Sequence, residues 1–160
     1  MATSKLPSPI SASEALLLDN QLCFALYSAS LAMTRMYKPL LEALGLTYPQ
    51  YLAMLVLWER DGVTVSELGE RLSLDSGTLT PLLKRMETAG WLARLRDVND
   101  ERRVLITLTA AGRKLKTRAA RVPGCILSAT QCDVTELTAL TRQVQTLRDR
   151  LNRCDPDTLN

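Results

Sequence analysis

A chain of 160 residues with 46% hydrophobic content is long enough for one cored domain and short for two. Its formal charge of +3 and pI of 8.8 conceal an uneven layout, because arginines and lysines cluster over residues 94–121. With no histidine, and with Cys23, Cys125, Cys132 and Cys154 forming no C-x-x-C pair, the composition argues against zinc ribbons, haem attachment and histidine-based catalysis. No metal site, cofactor or catalytic residue is expected.

The opening MATSKLPSPISAS is rich in proline and serine without the apolar core of a secretory signal, so residues 1–13 are expected to form a disordered arm. The remainder, 14–160, reads as one domain. Its strongest apolar run, residues 15–33, is interrupted by Asp19, Asn20 and Gln21 and is unsuited to a bilayer. A cytoplasmic protein without a membrane partner is expected, and there a disulfide is a transient or sensory bond.

From 13 to about 46, leucines, alanines and aromatics recur three and four apart. The pattern predicts two helices broken near 33–39, or one long kinked helix, with Gly45 as the stop. Thr47 is placed to cap the next helix, "YLAMLVLWER", with Pro49 in its first turn and Asp61-Gly62 ending it. That helix reads as fully buried. In "TVSELGERLSLDSGTLTPLLKRMETAG", Val65, Leu68 and Leu72 predict one amphipathic helix, and Leu79, Leu82, Leu83 and Met86 a second. Leu74 and Asp75 fall in the turn between them, giving a helix-turn-helix. Gly90 suits the left-handed stop after the second helix, and Pro81 predicts a distortion within it.

"WLARLRDVNDERRVLITLT" alternates apolar and polar residues on both sides of a polar tip, which predicts a β-hairpin over 91–109. Helix, turn, helix and hairpin make a winged helix-turn-helix, mainly α with a small β wing. The rest is helical up to a break at Pro123-Gly124, then again from Cys132 to Cys154, where Leu137, Leu140, Val144, Leu147 and Leu151 form a seam for another helix. A DNA-binding part at about 48–109 is therefore flanked by helices at 14–46 and 110–153 that are expected to build a homodimer.

The second helix of the pair carries Ser76, Thr78, Thr80, Lys84 and Arg85 away from its leucine face, and the hairpin tip adds Arg102 and Arg103. Hydroxyls near a helix N-terminus and cations suit phosphate and base-edge contacts, and a wing arginine suits a minor groove. The bland alternative is a solvated face on a module that serves protein contacts alone.

The sequence "DVNDERRVLITLT", with Asp97, Asp100 and Arg102 in a D-x-x-D-x-R pattern followed by T-x-x-G at Thr109 to Gly112, resembles the wing of MarR-type regulators. The likeness extends over about 14–152. It implies a homodimer binding a pseudo-palindromic operator, with the 76–89 helix in the major groove and Asp100 orienting Arg102. Furthermore, "LDNQLCFALYSAS", the Y-K-P-L-L starting at Tyr37 and "LGLTYPQYLAMLVLWE" resemble the organic hydroperoxide regulators of that family. The resemblance makes Cys23 the peroxide-reactive thiol, hydrogen-bonded by Tyr37 and Tyr48, one of them from the other subunit.

Peroxide attack requires a thiolate, and with no basic residue between Asp19 and Met33 the tyrosine hydroxyls are the available donors. Tyr27, four residues after Cys23, is expected to line the same cavity, with Phe24, Leu26, Leu52 and Trp58 as an apolar setting for organic rather than hydrogen peroxide. The sulfenic acid so formed can condense with a second thiol. Cys125 and Cys132, seven apart and able to share a helical face, are the candidates in the segment where the resemblance puts a resolving cysteine; a small-molecule thiol is the alternative. Two rival functions remain open: a MarR-type repressor released by a reversible phenolic ligand, and a thiol peroxidase.

Overall fold

The computed structural model describes residues 11–155, so residues 1–10 of the expected arm lie outside the described residues. Helical structure begins earlier than the sequence suggests, because Ser11 caps a short helix, α1 (Ala12–Ala15), in a reciprocal box with Glu14. The break expected at 33–39 falls instead at 16–21. There a 3-10 turn, Leu18–Asn20, is tied back by Asn20 Nδ2 to the Glu14 carbonyl (2.7 Å) and by Gln21 Nε2 to the Ala15 carbonyl (2.6 Å). Amide side chains that satisfy backbone acceptors locally compete with helix continuation. From there α2 (Leu22–Glu42) runs unbroken through Pro39, and Gly45 follows in the left-handed conformation (φ 74°).

Thr47 accepts from the Gln50 N–H and Gln50 answers to the Thr47 N–H, and Pro49 stands in the first turn of α3 (Tyr48–Glu59). This helix is the centre of the fold. Tyr51, Ala53, Met54, Val56 and Leu57 are buried and Leu52, Leu55 and Trp58 half-buried, which matches an apolar run with little polar face.

Thr64 closes β1 (Val63–Thr64) and caps α4 (Val65–Leu72) in a box with Glu67. Ser73 then turns left-handed (φ 54°), and Asp75 caps α5 (Ser76–Thr88) by accepting from the Thr78 N–H at 2.9 Å. The turn is close because Gly69 has no side chain: a Cβ there would stand 2.9 Å from the Leu74 carbonyl oxygen. The distortion expected at Pro81 is absent, since α5 is continuous. The carbonyl deprived of a partner, four residues back, belongs to exposed Gly77 and stays open to water.

The hairpin forms as β2 (Leu92–Arg96) and β3 (Val104–Leu108), antiparallel with Leu92 opposite Leu108 and Arg96 opposite Val104. A third strand joins it, which the sequence did not suggest: β1 pairs with β3, giving the order β1-β3-β2. Two residues are too short for a periodic signal.

Thr109 caps α6 (Ala110–Ala119), and its hydroxyl donates to the Gly90 carbonyl (2.6 Å). Gly112 packs so tightly that an added Cβ would stand 2.0 Å from the Trp91 carbonyl oxygen. The T-x-x-G motif is therefore a cap joined to a close approach. Pro123-Gly124 opens α7 (Val122–Thr130) rather than leaving a gap, because proline is tolerated where the first N–H groups lack partners. Gln131 turns left-handed (φ 57°), and Asp133 caps α8 (Val134–Leu151). Among the described residues no helix is long and apolar enough to cross a membrane.

Candidate DNA-binding face and thiol site

Two surfaces gather the residues singled out above. On the first, α5 buries Leu79, Leu82, Leu83 and Met86, which turns Ser76, Thr78, Thr80, Lys84 and Arg85 to solvent. Thr78 is partly committed: its hydroxyl donates to Asp75 Oδ2 (3.0 Å) in support of the cap. Hydrogen bonds from Thr78 hold the Asp75 carboxyl below its ordinary value, so the cap is ionised at neutral pH.

Beside α5, a concavity of about 520 Å3 is lined by Ser66, Thr80, Arg94, Arg102 and Arg103. At the wing tip the two aspartates work through the backbone. Asp97 accepts from the Asn99 N–H (2.9 Å) and Asp100 from the Arg102 N–H (3.0 Å), while Arg103 reaches Asp97 only at 3.9 Å. Asp100 thus contacts Arg102 through its main chain, at the turn that presents it, and the Arg102 guanidinium has no ion-pair partner among the described residues.

The second surface is the outer side of α2 and α8. Cys23, in the first turn of α2, is exposed in the single chain, as are Leu22, Phe24, Leu26, Leu31, Met33 and Met36. The thiol is thus not covered by its own chain. Tyr27 is 61% exposed and does not line the adjoining groove, and Trp58 faces elsewhere, its indole N–H donating to the Gly112 carbonyl (3.0 Å).

Further along α2, Tyr37 packs on Tyr48 (ring centroids 4.9 Å apart) and on Tyr51 (5.9 Å). Tyr51 was missed by sequence reasoning; its position three after Tyr48 was the available signal. Burial pushes the Tyr37 phenol up to about 12 and raises Tyr48 and Tyr51 as well, so all three remain hydroxyl donors at neutral pH. Tyr37 and Tyr48 close one end of a groove of about 570 Å3 between α2 and α8, lined by Leu26, Ala29, Met33, Leu140 and Val144 among others.

Cys23 and Tyr37 are fourteen positions apart on one continuous helix, which separates them by about 21 Å along its axis. Tyr48 stays with Tyr37. Neither hydroxyl of this pair therefore reaches Cys23 of the same chain.

Cys125 is exposed on α7, and Cys132, half-buried in the turn before α8, donates its thiol to the Thr130 carbonyl (3.6 Å). The left-handed Gln131 ends α7 between them, so they share no helical face. Among the described residues no cluster of His, Cys, Asp or Glu is suited to a metal ion.

The family model for the transcriptional regulators SarA/Rot matches residues 35–119, a little over half of the chain. The organic hydroperoxide resistance transcriptional regulator of Bacillus subtilis is 52% identical over 136 residues, covering 85% of this chain and 92% of that protein. Among solved structures, reduced AbfR bound to DNA superposes with a TM-score of 0.74 at 37% identity, covering 84% of this chain and 92% of the other. Disulfide-formed AbfR superposes less closely, with a TM-score of 0.59 at 38% identity, covering 88% of this chain and 93% of the other. Apo MarR of E. coli gives 0.66 at 25% identity, covering 79% and 96%. These relatives are regulators rather than enzymes, and the chain belongs to the MarR-type winged-helix transcriptional regulators, in the branch of the organic hydroperoxide regulators.

Proposed function

We propose that the protein is a homodimeric repressor of cytoplasmic operator DNA that senses organic hydroperoxides by oxidation of Cys23. The observation that carries this reading is the placement of an exposed thiol on an uncovered apolar helix, with a cluster of neutral tyrosine donors further along the same helix. A second copy that pairs α2 and α8 buries the apolar face and brings Tyr37 and Tyr48 of the partner subunit to Cys23.

In that setting the thiolate attacks the peroxide O–O bond. Sulfur is oxidised to the sulfenic acid, the peroxide is reduced, and the leaving alkoxide takes a proton to become an alcohol. The sulfenic acid then condenses with a second thiol, forming an S–S bond and releasing water. Cys125 and Cys132 are the candidates within the chain, and a small-molecule thiol is the alternative.

Oxidation releases DNA only if it favours a conformation whose two α5 helices no longer match the half-site spacing. In the reduced, DNA-bound form Ser76, Thr78, Thr80, Lys84 and Arg85 read the major groove and Arg102 and Arg103 the minor groove, with Asp97 and Asp100 holding the wing turn. The closer likeness to reduced, DNA-bound AbfR than to disulfide AbfR supports assigning the present conformation to the DNA-competent form.

The test is binding to a duplex selected by the reduced protein, before and after one equivalent of cumene hydroperoxide, beside Cys23→Ser. Release of wild type with retention by the variant supports the reading, and equal behaviour of the two overturns it. Mass spectrometry of oxidised Cys125→Ser and Cys132→Ser assigns the resolving thiol. The apolar groove between α2 and α8 also favours a second reading, reversible release by a phenolic ligand, for which hydroperoxide leaves binding unchanged.

A further inference from the structure

Of the arginines lining the concavity beside α5, Arg94 is bound differently from the others. Its Nε and Nη2 both lie 2.8 Å from Glu87 Oε2, and its main-chain N–H donates to Glu87 Oε1 at 3.1 Å. One carboxylate in the last turn of α5 thus holds both the side chain and the backbone of the middle residue of β2. Both side chains are only about a third exposed (32% and 35%), whereas every other ion pair among the described residues has at least one member more than half exposed. Exposed pairs contribute little, but a sheltered one in which Glu87 Oε2 takes two guanidinium nitrogens and Oε1 the backbone N–H is geometrically restrictive. Arg94 holds the Glu87 carboxyl below its ordinary value, so the contact is intact at neutral pH.

The pair sits at the root of a lever. Arg94 stands opposite Ile106 in the hairpin, four residues from Arg102 and so at most about 13 Å of extended chain, and a rotation of roughly 10° at the root moves Arg102 by about 2 Å, enough to lose a hydrogen bond.

We propose that Glu87 and Arg94 act as a brace that sets the angle between the wing and the recognition helix, and so are positioning residues for operator choice rather than phosphate contacts. This rests on the reading of the chain as an operator-binding protein. It makes a prediction opposite in sign to simple electrostatics. Removing a negative charge beside DNA tightens binding if charge alone matters, whereas removing the brace weakens binding to the preferred sequence.

The probe is a short duplex recovered by wild-type protein from a random-sequence pool, compared with a mixed-sequence duplex, at a temperature where melting curves show every variant folded. Glu87→Gln and Arg94→Ala are each expected to bind the recovered duplex about tenfold more weakly, and the double variant no more weakly than the worse single one, because both act through one contact. Glu87→Gln binds the mixed duplex at least as well as wild type. The salt dependence keeps its slope in Arg94→Ala and loses about one unit in Arg102→Ala. If Glu87→Gln binds the recovered duplex as tightly as wild type while Arg94→Ala loses a unit of slope, Arg94 is a phosphate contact and the brace is overturned. If wild type recovers no duplex at all, the operator-binding reading falls and the brace with it.

Discussion

Helices α3 and α8 dispose of their apolar residues in opposite ways. The shorter α3 buries five side chains within its own chain, and Met54 and Leu57 at its centre are almost wholly excluded from solvent. The longer α8 buries none, and its seam residues Leu140, Val144 and Leu151 are 52%, 39% and 60% exposed. The outer stretch of α2 behaves like α8, with Leu41 its one buried residue. Apolar periodicity specifies that a face will be covered, not by what. One region is a core that the chain completes alone, and the other is an apolar face that the chain leaves uncovered.

Substitutions in the two regions should therefore fail in different ways. Leu57→Ala, at a site 1% exposed, is expected to cost about 2–5 kcal/mol, read as a lowered urea midpoint at every protein concentration. Leu140→Glu should instead abolish the dependence of melting temperature on concentration and shift sedimentation from dimer to monomer. If Leu140→Glu leaves the dimer intact, the α8 seam is not the interface.

A smaller effect is expected at the joint between the regions. Gly112→Ala forces a methyl group into the Trp91 carbonyl, a clash expected to cost about 1–3 kcal/mol, measured by thermal melting. A wild-type melting temperature would show that the α6 approach relaxes freely.

The smallest effect tests Tyr37, which borders both regions. Its phenol is raised from 10.0 to about 12 in the folded chain. An acid whose folded value is raised contributes stability fully below the unfolded value and loses it as pH rises through the folded one. Wild type should accordingly lose stability between pH 10 and about 12, and Tyr37→Phe should lose less over that window. Parallel curves for the two proteins would show that Tyr37 titrates freely.

Much of the core was legible in the sequence because its signals are local. Thr47 with Gln50, Asp75 with Thr78 and the leucines of α4 and α5 each act within one or two turns. The corner at Asn20 and Gln21 was misplaced because Pro39 is the louder breaker in sequence, although a continuous helix tolerates it near its end. The two-residue β1 and the Glu87–Arg94 contact arise from tertiary pairing, and no sequence rule links positions 87 and 94. For Cys23 the sequence offered an apolar helical setting but no sign of which surface of the fold would carry it. Asp61 was read only as a helix terminator, yet it accepts from the Leu108 N–H (2.8 Å) and pairs with Arg113 (2.8 Å), tying α3 to β3 and α6.

Mixed dimers show whether the thiol site is completed between subunits. A heterodimer of one Cys23→Ser chain and one Tyr37→Phe chain contains a single site with both native residues if Cys23 meets Tyr37 of the partner subunit, and none if the two meet within one chain. The account predicts that the remaining Cys23 of this heterodimer reacts with cumene hydroperoxide at the wild-type rate per thiol, while the Tyr37→Phe homodimer reacts more slowly. A heterodimer as slow as that homodimer would contradict it.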